Sequence, residues 1–179
     1  EITKRLDVFV MSDCPYGNMA ELAAAEVVKN FGKNISFHVN YIASKNDDGT
    51  FNSLHGEYEV KQNKVELCVN KYYPLKNLEF INCMNEKGIS DTDWKECATP
   101  FGFNTNRIET CANGIEGSNL LEQNIKIAES LNIGASPTWI INNKYQGSGL
   151  DAESIKQLFC QYNPGTAGCD NVLSSDANA

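Results

Sequence analysis

The sequence predicts an α/β protein in the order βαβ, helical block, ββα, and three observations carry that prediction. A strand-like run and a helix-forming run meet across a Cys14-Pro15 step near the start. A second strand-like run follows that helix at once. Much further along, Pro137 leads a short apolar hairpin and a final amphipathic helix.

Taken in order, Arg5 to Ser12 alternates Leu6, Val8 and Val10 and stops at the turn-former Asp13, which reads as a strand. Pro15 stands where a first helical turn tolerates a missing N–H, and Met19 to Phe31 is rich in strong helix formers. Gly32 ends that helix. Ile35 to Ala43 is again strand-like, with Ile35, Phe37, Val39 and Tyr41 on one face. Such a βαβ unit implies a parallel pair joined by a right-handed crossover. Ser44 to Gly56 is polar and turn-rich, with Asp48-Gly49 at its tip. From Glu57 to Leu131 the pattern is helical, broken at Pro74, Gly88, Pro100-Phe101-Gly102 and Gly114 to Gly117. Pro137 to Asn142 and Lys144 to Gly147 form a hairpin across Asn142-Asn143, and Asp151 caps a helix from Ala152 to Gln161. The expected organisation is one domain over residues 1–170, interrupted by a helical insertion at about 57–132, with a flexible Gly/Ser/Asn-rich tail at 171–179.

Bulk properties narrow the function. At 179 residues and 41% hydrophobic, the chain can bury a core of its own. A net charge of −8 argues against nucleic acid and anionic membrane, because phosphate binding needs clustered Lys and Arg. No window approaches the ~18 apolar residues that span a bilayer. Glu1 leads almost directly into a strand, which reads as a mature or trimmed form. Seven cysteines stand at 14, 68, 83, 97, 111, 160 and 169. The C-x2-C spacing of a metal site is absent and only His38 and His55 are at hand, so neither a metal nor a cofactor is expected. Disulfides in an exported setting are the simpler reading: secreted, periplasmic or lumenal, in an oxidising compartment. Seven is odd, so at least one thiol is left over.

Cys14 is the candidate for it. In Ser12-Asp13-Cys14-Pro15-Tyr16-Gly17 the cysteine lies between a strand end and a helix start, where backbone N–H groups and the helix dipole stabilise a thiolate. Pro15 fixes the turn and adds no competing donor, while the Tyr16 and Gly17 amides can serve the sulfur. The second motif is Ala135-Ser136-Pro137-Thr138-Trp139, a proline at the mouth of a strand, to whose ladder it cannot donate. Asp13 opposes thiolate formation by like charge, although an exposed aspartate is screened. Met11 and Met19 flank the cysteine and are read as core or groove residues rather than soft-metal ligands. The Asp47-Asp48-Gly49 run is read as a turn, not a calcium loop, and His38 as structural. Asn34-Ile35-Ser36 fits a glycosylation sequon.

The element order and these two motifs resemble the thioredoxin fold, interrupted in the manner of DsbA-like proteins. In that fold a cis proline stands opposite the active cysteine, and the residue before it offers backbone to an extended substrate by strand addition. The resemblance thus implies substrate contacts at Pro15, Tyr16, Gly17, Ser136 and Pro137. The stretch from His55-Gly56 through Glu59 and Asn63 to Cys68 is similar to the signature of gamma-interferon-inducible lysosomal thiol reductases, C-Q-H-G-x2-E-C-x2-N-x4-C. The similarity continues through Cys83-Met84, Cys97 and Glu109-Thr110-Cys111-Ala112. Ser53 and Val60 stand where the signature has cysteines, as the loss of one disulfide as a unit leaves behind, and Leu54 replaces its glutamine. Gly17 stands where dithiol relatives carry a second, resolving cysteine. His55, retained from the signature, is an accessory candidate.

If Cys14 stays a thiol, six cysteines make three bridges in one of 15 connectivities. Cys160 and Cys169 straddle a helix end and a Gly-containing turn and pair locally; in the insertion Cys83–Cys97 and Cys68–Cys111 are favoured, with Cys68–Cys83 as an alternative. The expected function is a monothiol thiol-disulfide oxidoreductase. Cys14 acts on extended protein or peptide substrates or on small-molecule disulfides, and an external thiol such as glutathione resolves it. The alternative is a redox-inactive thioredoxin-like module that keeps only a peptide groove.

Overall fold

The computed structural model describes residues 1–88 and 93–176, so positions 89–92 of the expected insertion and the last three of the expected tail lie outside it. Contacts divide the chain into two compact units. One is formed by Glu1–Val10, Pro15–Asn40 and Ala135–Ala179, the other by Met11–Cys14 and Tyr41–Gly134.

The first unit is built on a four-stranded sheet. Its strands are β1 (Arg5–Val10), β2 (Ser36–Tyr41), β5 (Thr138–Ile141) and β6 (Tyr145–Gly147), in the order β2-β1-β5-β6. β1 and β5 run antiparallel with Leu6 opposite Ile141 and Phe9 opposite Thr138, and β5 pairs antiparallel with β6. The alternation of Leu6, Val8 and Val10 suggested one covered face, yet Asp7 and Phe9 are buried as well, as befits an inner strand. Asp7 is tolerated there because its carboxylate accepts from the Arg5 guanidinium at 2.6 and 3.1 Å and from the Asn40 amide at 2.9 Å. Asn142 and Asn143 take left-handed φ values of 55° and 58° at the β5–β6 turn, a conformation asparagine accepts more readily than most residues.

Helix α1 (Pro15–Phe31) buries Ala20, Ala24, Val27 and Phe31, a stripe at helical spacing. The Phe31 ring meets Phe159 of α7 (Ala152–Tyr162) at 4.9 Å between centroids. Asp151 caps α7 by accepting the Ser154 N–H at 2.9 Å, and Cys160–Cys169 closes the chain beyond it. Beyond that bridge the chain up to Ser174 makes three hydrogen bonds to the sheet unit. Leu173 N–H donates to Glu153, Ser174 N–H donates to Glu26, each at 2.8 Å, and Glu153 N–H donates to the Ser174 carbonyl at 2.9 Å.

The second unit is the helical block. It comprises α2 (Glu57–Tyr72), α3 (Asn77–Lys87), α4 (Trp94–Ala98), α5 (Thr105–Asn113) and α6 (Ile115–Ser130). Two bridges staple it: Cys68–Cys111 ties α2 to α5, and Cys83–Cys97 ties α3 to α4. A two-residue ladder, β3 (Ser44–Lys45) with β4 (Phe51–Asn52), folds the polar segment that the sequence marked only as turn-rich. Asp48 stabilises its tip by accepting the Thr50 N–H and hydroxyl at 3.0 and 2.6 Å. Among the described residues no helix is long and apolar enough to cross a membrane.

Gly117, in the first turn of α6, sets the approach of α5. A Cβ there would stand 2.6 Å from the Cys111 carbonyl oxygen and 3.0 Å from Ala112. Gly117→Ala is therefore expected to lower stability by about 1–3 kcal/mol through overpacking, read as a fall in urea midpoint with unchanged m-value.

Candidate functional site

The loop Met11–Cys14 leaves β1 and belongs, by its contacts, to the helical unit. Three consecutive backbone N–H groups in it need acceptors. Ser12 N–H donates to the Asn63 side-chain oxygen at 3.3 Å, Asp13 N–H to Glu59 Oε2 at 2.8 Å, and Cys14 N–H back to the Met11 carbonyl at 3.0 Å. The Ser12 hydroxyl also donates to the Glu59 carbonyl at 3.3 Å. Glu59 and Asn63 are four residues apart on α2, so one helix face supplies both acceptors.

Glu59 is fully buried. Its carboxylate also accepts the Ser53 hydroxyl at 2.6 Å, the His55 N–H at 3.2 Å and His55 Nδ1 at 2.8 Å. Asp13, held by this carboxylate through its backbone, has its own carboxyl raised above the ordinary aspartate range. Burial is the larger cause and the Glu59 charge the next, with His55 pulling the other way. Two turns further along α2, Glu66 is buried and accepts the Tyr41 hydroxyl at 2.8 Å and the Gln62 amide at 2.5 Å.

Cys14 takes part in none of the three bridges and remains a thiol, 8% exposed. It directly precedes Pro15, the first residue of α1, whose opening N–H groups have no intrahelical partner. Tyr16 is 60% exposed and Gly17 buried in that first turn. The helix begins at Pro15, four residues before the run rich in helix formers. A cavity of about 340 Å³ in the helical unit is lined by Met11, Ile42, Ser53 and Leu54, among others. In the sheet unit the Ser136–Pro137 bond is cis, both residues are half-buried, and the Thr138 hydroxyl donates to the Ala135 carbonyl at 2.6 Å. His38 lies in β2 with its ring against the Ser36 hydroxyl at 2.9 Å. Among the described residues no group of three or more His, Cys, Asp or Glu is placed to hold a metal ion.

The structure thus gathers Asp13, the residue directly before Cys14, and His55 about a residue to which sequence reasoning gave no role. Glu59 is that residue, with Asn63 and Ser53 beside it. Two signals pointed to it: the match of Glu59 and Asn63 to the signature, and the polar stripe Glu59, Gln62, Asn63, Glu66. At helical spacing such a stripe reads as a solvated face, yet all four are buried.

Comparison with known proteins adds to this geometry. Residues 5–101 match the family model described as gamma interferon inducible lysosomal thiol reductase (GILT). GILT-like protein 1 of Drosophila melanogaster is 29% identical over 150 residues, 72% of this chain and 59% of that protein. The gamma-interferon-inducible lysosomal thiol reductase-like protein of Anopheles gambiae is 27% identical over 159 residues, 75% of this chain and 66% of that protein. The chain therefore spans about three-fifths to two-thirds of the length of these curated relatives. Among solved structures, oxidised BdbD from Bacillus subtilis superposes with a TM-score of 0.71 at 15% identity, covering 90% of this chain and 88% of that one. Reduced DsbA1 from Neisseria meningitidis gives 0.64 at 13% identity, covering 88% and 83%. These structural likenesses identify the fold: thioredoxin-type, with a DsbA-like helical insertion.

Proposed function

Since the chain belongs to the gamma interferon inducible lysosomal thiol reductase family, we propose that it carries out thiol–disulfide exchange through Cys14 alone. The observation that supports this reading is a cysteine that stays a thiol directly before a helix start while Gly17 occupies the place of a resolving cysteine. The Cys14 thiolate attacks one sulfur of a substrate disulfide R–S–S–R′. It forms Cys14–S–S–R and expels R′S⁻. An external thiolate then attacks the mixed disulfide, takes R as a new disulfide and returns the Cys14 thiolate. No cofactor enters this cycle. Roles for Pro15, Tyr16, Gly17, Ser136 and Pro137 in holding an extended protein or peptide substrate come from the family resemblance and belong to the same proposal. Three bridges and the family suit an exported, oxidising compartment.

Intact mass tests the proposal. Without reductant, alkylation is expected to add one label to the native protein and none to Cys14→Ser. Oxidised glutathione is expected to add one glutathione to the wild type only. Equal exchange activity in wild type and Cys14→Ser, alongside binding of an extended peptide, selects the redox-inactive module instead.

A further inference from the structure

We infer that Glu59 is the positioning residue for Cys14, an inference that rests on the reading of Cys14 as the nucleophile. An ionised carboxylate offers about four lone-pair sites. In Glu59 four donors fill them: the Asp13 N–H, the Ser53 hydroxyl, the His55 N–H and the His55 ring at Nδ1. The side chain is sealed from solvent, so water cannot replace a lost partner. The donor on one side is the residue directly before Cys14; those on the other side belong to the turn before α2. Glu59 therefore locks the thiol loop to the helical unit at the position adjoining the sulfur. Nδ1 of His55 is engaged by Glu59, which ties the histidine to the same carboxylate that holds the thiol loop.

Ser53 gives this arrangement a feature of its own. The family signature has cysteines at positions 53 and 60, where this chain has serine and valine. A cysteine held in a bridge has no S–H to donate. The Ser53 hydroxyl donates to Glu59 Oε1 at 2.6 Å, so the place of a covalent tie is taken by a hydrogen bond that feeds the same carboxylate.

The test follows the reaction of the native, unreduced protein with 5,5′-dithiobis(2-nitrobenzoate). The Cys14 thiolate forms a mixed disulfide with one aryl thiol and releases the other, which is read by its absorbance. Displacing a nucleophile by an ångström costs up to about a hundredfold in rate. Glu59→Ala is therefore expected to react tenfold or more slowly than wild type. Glu59→Gln, which keeps an oxygen for the Asp13 amide, and Ser53→Ala, which leaves the Asp13 bond in place, are each expected to react more slowly than wild type but faster than the alanine variant. Near-UV circular dichroism reports whether each variant is folded. A folded Glu59→Ala that reacts at the wild-type rate overturns the inference, and so does a Glu59→Gln as slow as the alanine variant. If Glu59→Ala does not fold, Ser53→Ala and Glu59→Gln decide: either of them folded and as fast as wild type overturns it. A wild-type Cys14 that reacts no faster than it does in the urea-unfolded chain sinks the nucleophile reading itself, a separate result.

Discussion

Gly17→Cys is expected to discharge a glutathione adduct on Cys14 roughly a thousandfold faster than the wild type does in millimolar external thiol. Position 17 is the third residue of α1, three along from Cys14, and groups three apart lie on one side of a helix turn. A thiolate introduced there attacks the Cys14 sulfur and expels the glutathione thiolate. It leaves an internal disulfide that a second reductant must open. What was a bimolecular step becomes unimolecular, and the gain is the effective molarity of the new thiol over the external one. Glycine in a helical turn also costs up to about 1 kcal/mol relative to alanine, so the exchange does not weaken the helix. The measurement is intact mass against time, with the desalted adduct of each protein returned to millimolar external thiol. An adduct that persists equally in both proteins would show that lack of a resolving thiol does not limit release.

The second large effect is on stability. Burial pushes the Glu66 carboxyl up to about 8, the hydrogen bonds from Gln62 and Tyr41 only partly offset this, and the Glu59 charge adds to it. In the unfolded chain the same carboxyl titrates near its ordinary value of 4.5. Between these limits the folded protein holds a proton that the unfolded chain has released. The sign follows from linkage: the contribution is fully present below about pH 4.5 and is lost as pH rises through about 8. At roughly 1.4 kcal/mol per pH unit in that window, unfolding free energy should be several kcal/mol higher at about pH 5 than at pH 8. Asp13, also raised, adds to the slope in the same direction. Glu66→Gln, neutral at every pH and still able to accept from Tyr41, is expected to flatten most of the dependence. Urea titrations at several pH values check it, and an unchanged slope in that variant removes Glu66 as the cause.

The sheet unit was the more legible part of the sequence. Period-two apolar runs, the Cys14-Pro15 step, the Asn142-Asn143 turn and the Asp151 cap are local signals, and they place β1, α1, β2, β5, β6 and α7 within a few residues. The β3–β4 ladder was missed because two-residue strands of polar residues carry no periodicity, and their tip is held by side-chain contacts of Asp48 and Thr50. Glu59 and Glu66 were missed for a different reason. Helical spacing shows which residues share a face, not whether that face meets water or the groups of a distant loop. The partners that make burial tolerable, Asp13 for Glu59 and Tyr41 for Glu66, lie 46 and 25 residues away in the chain. Composition likewise does not foresee the carboxylates of Glu153 and Glu26 that Leu173 and Ser174 meet.

On the proposed cycle the protein is exposed to its own reagent, because any thiol able to regenerate Cys14 can also open bridges elsewhere. At the reactive loop this chain uses oxygen and nitrogen for fastening. The ties from Glu59 and Asn63 carry no sulfur and stay indifferent to redox poise. Of the bridges the fold does rely on, Cys68–Cys111 is shut away from solvent on both sides, at 0% and 2% exposure. Under that proposal, regeneration would leave these oxygen and nitrogen ties in place.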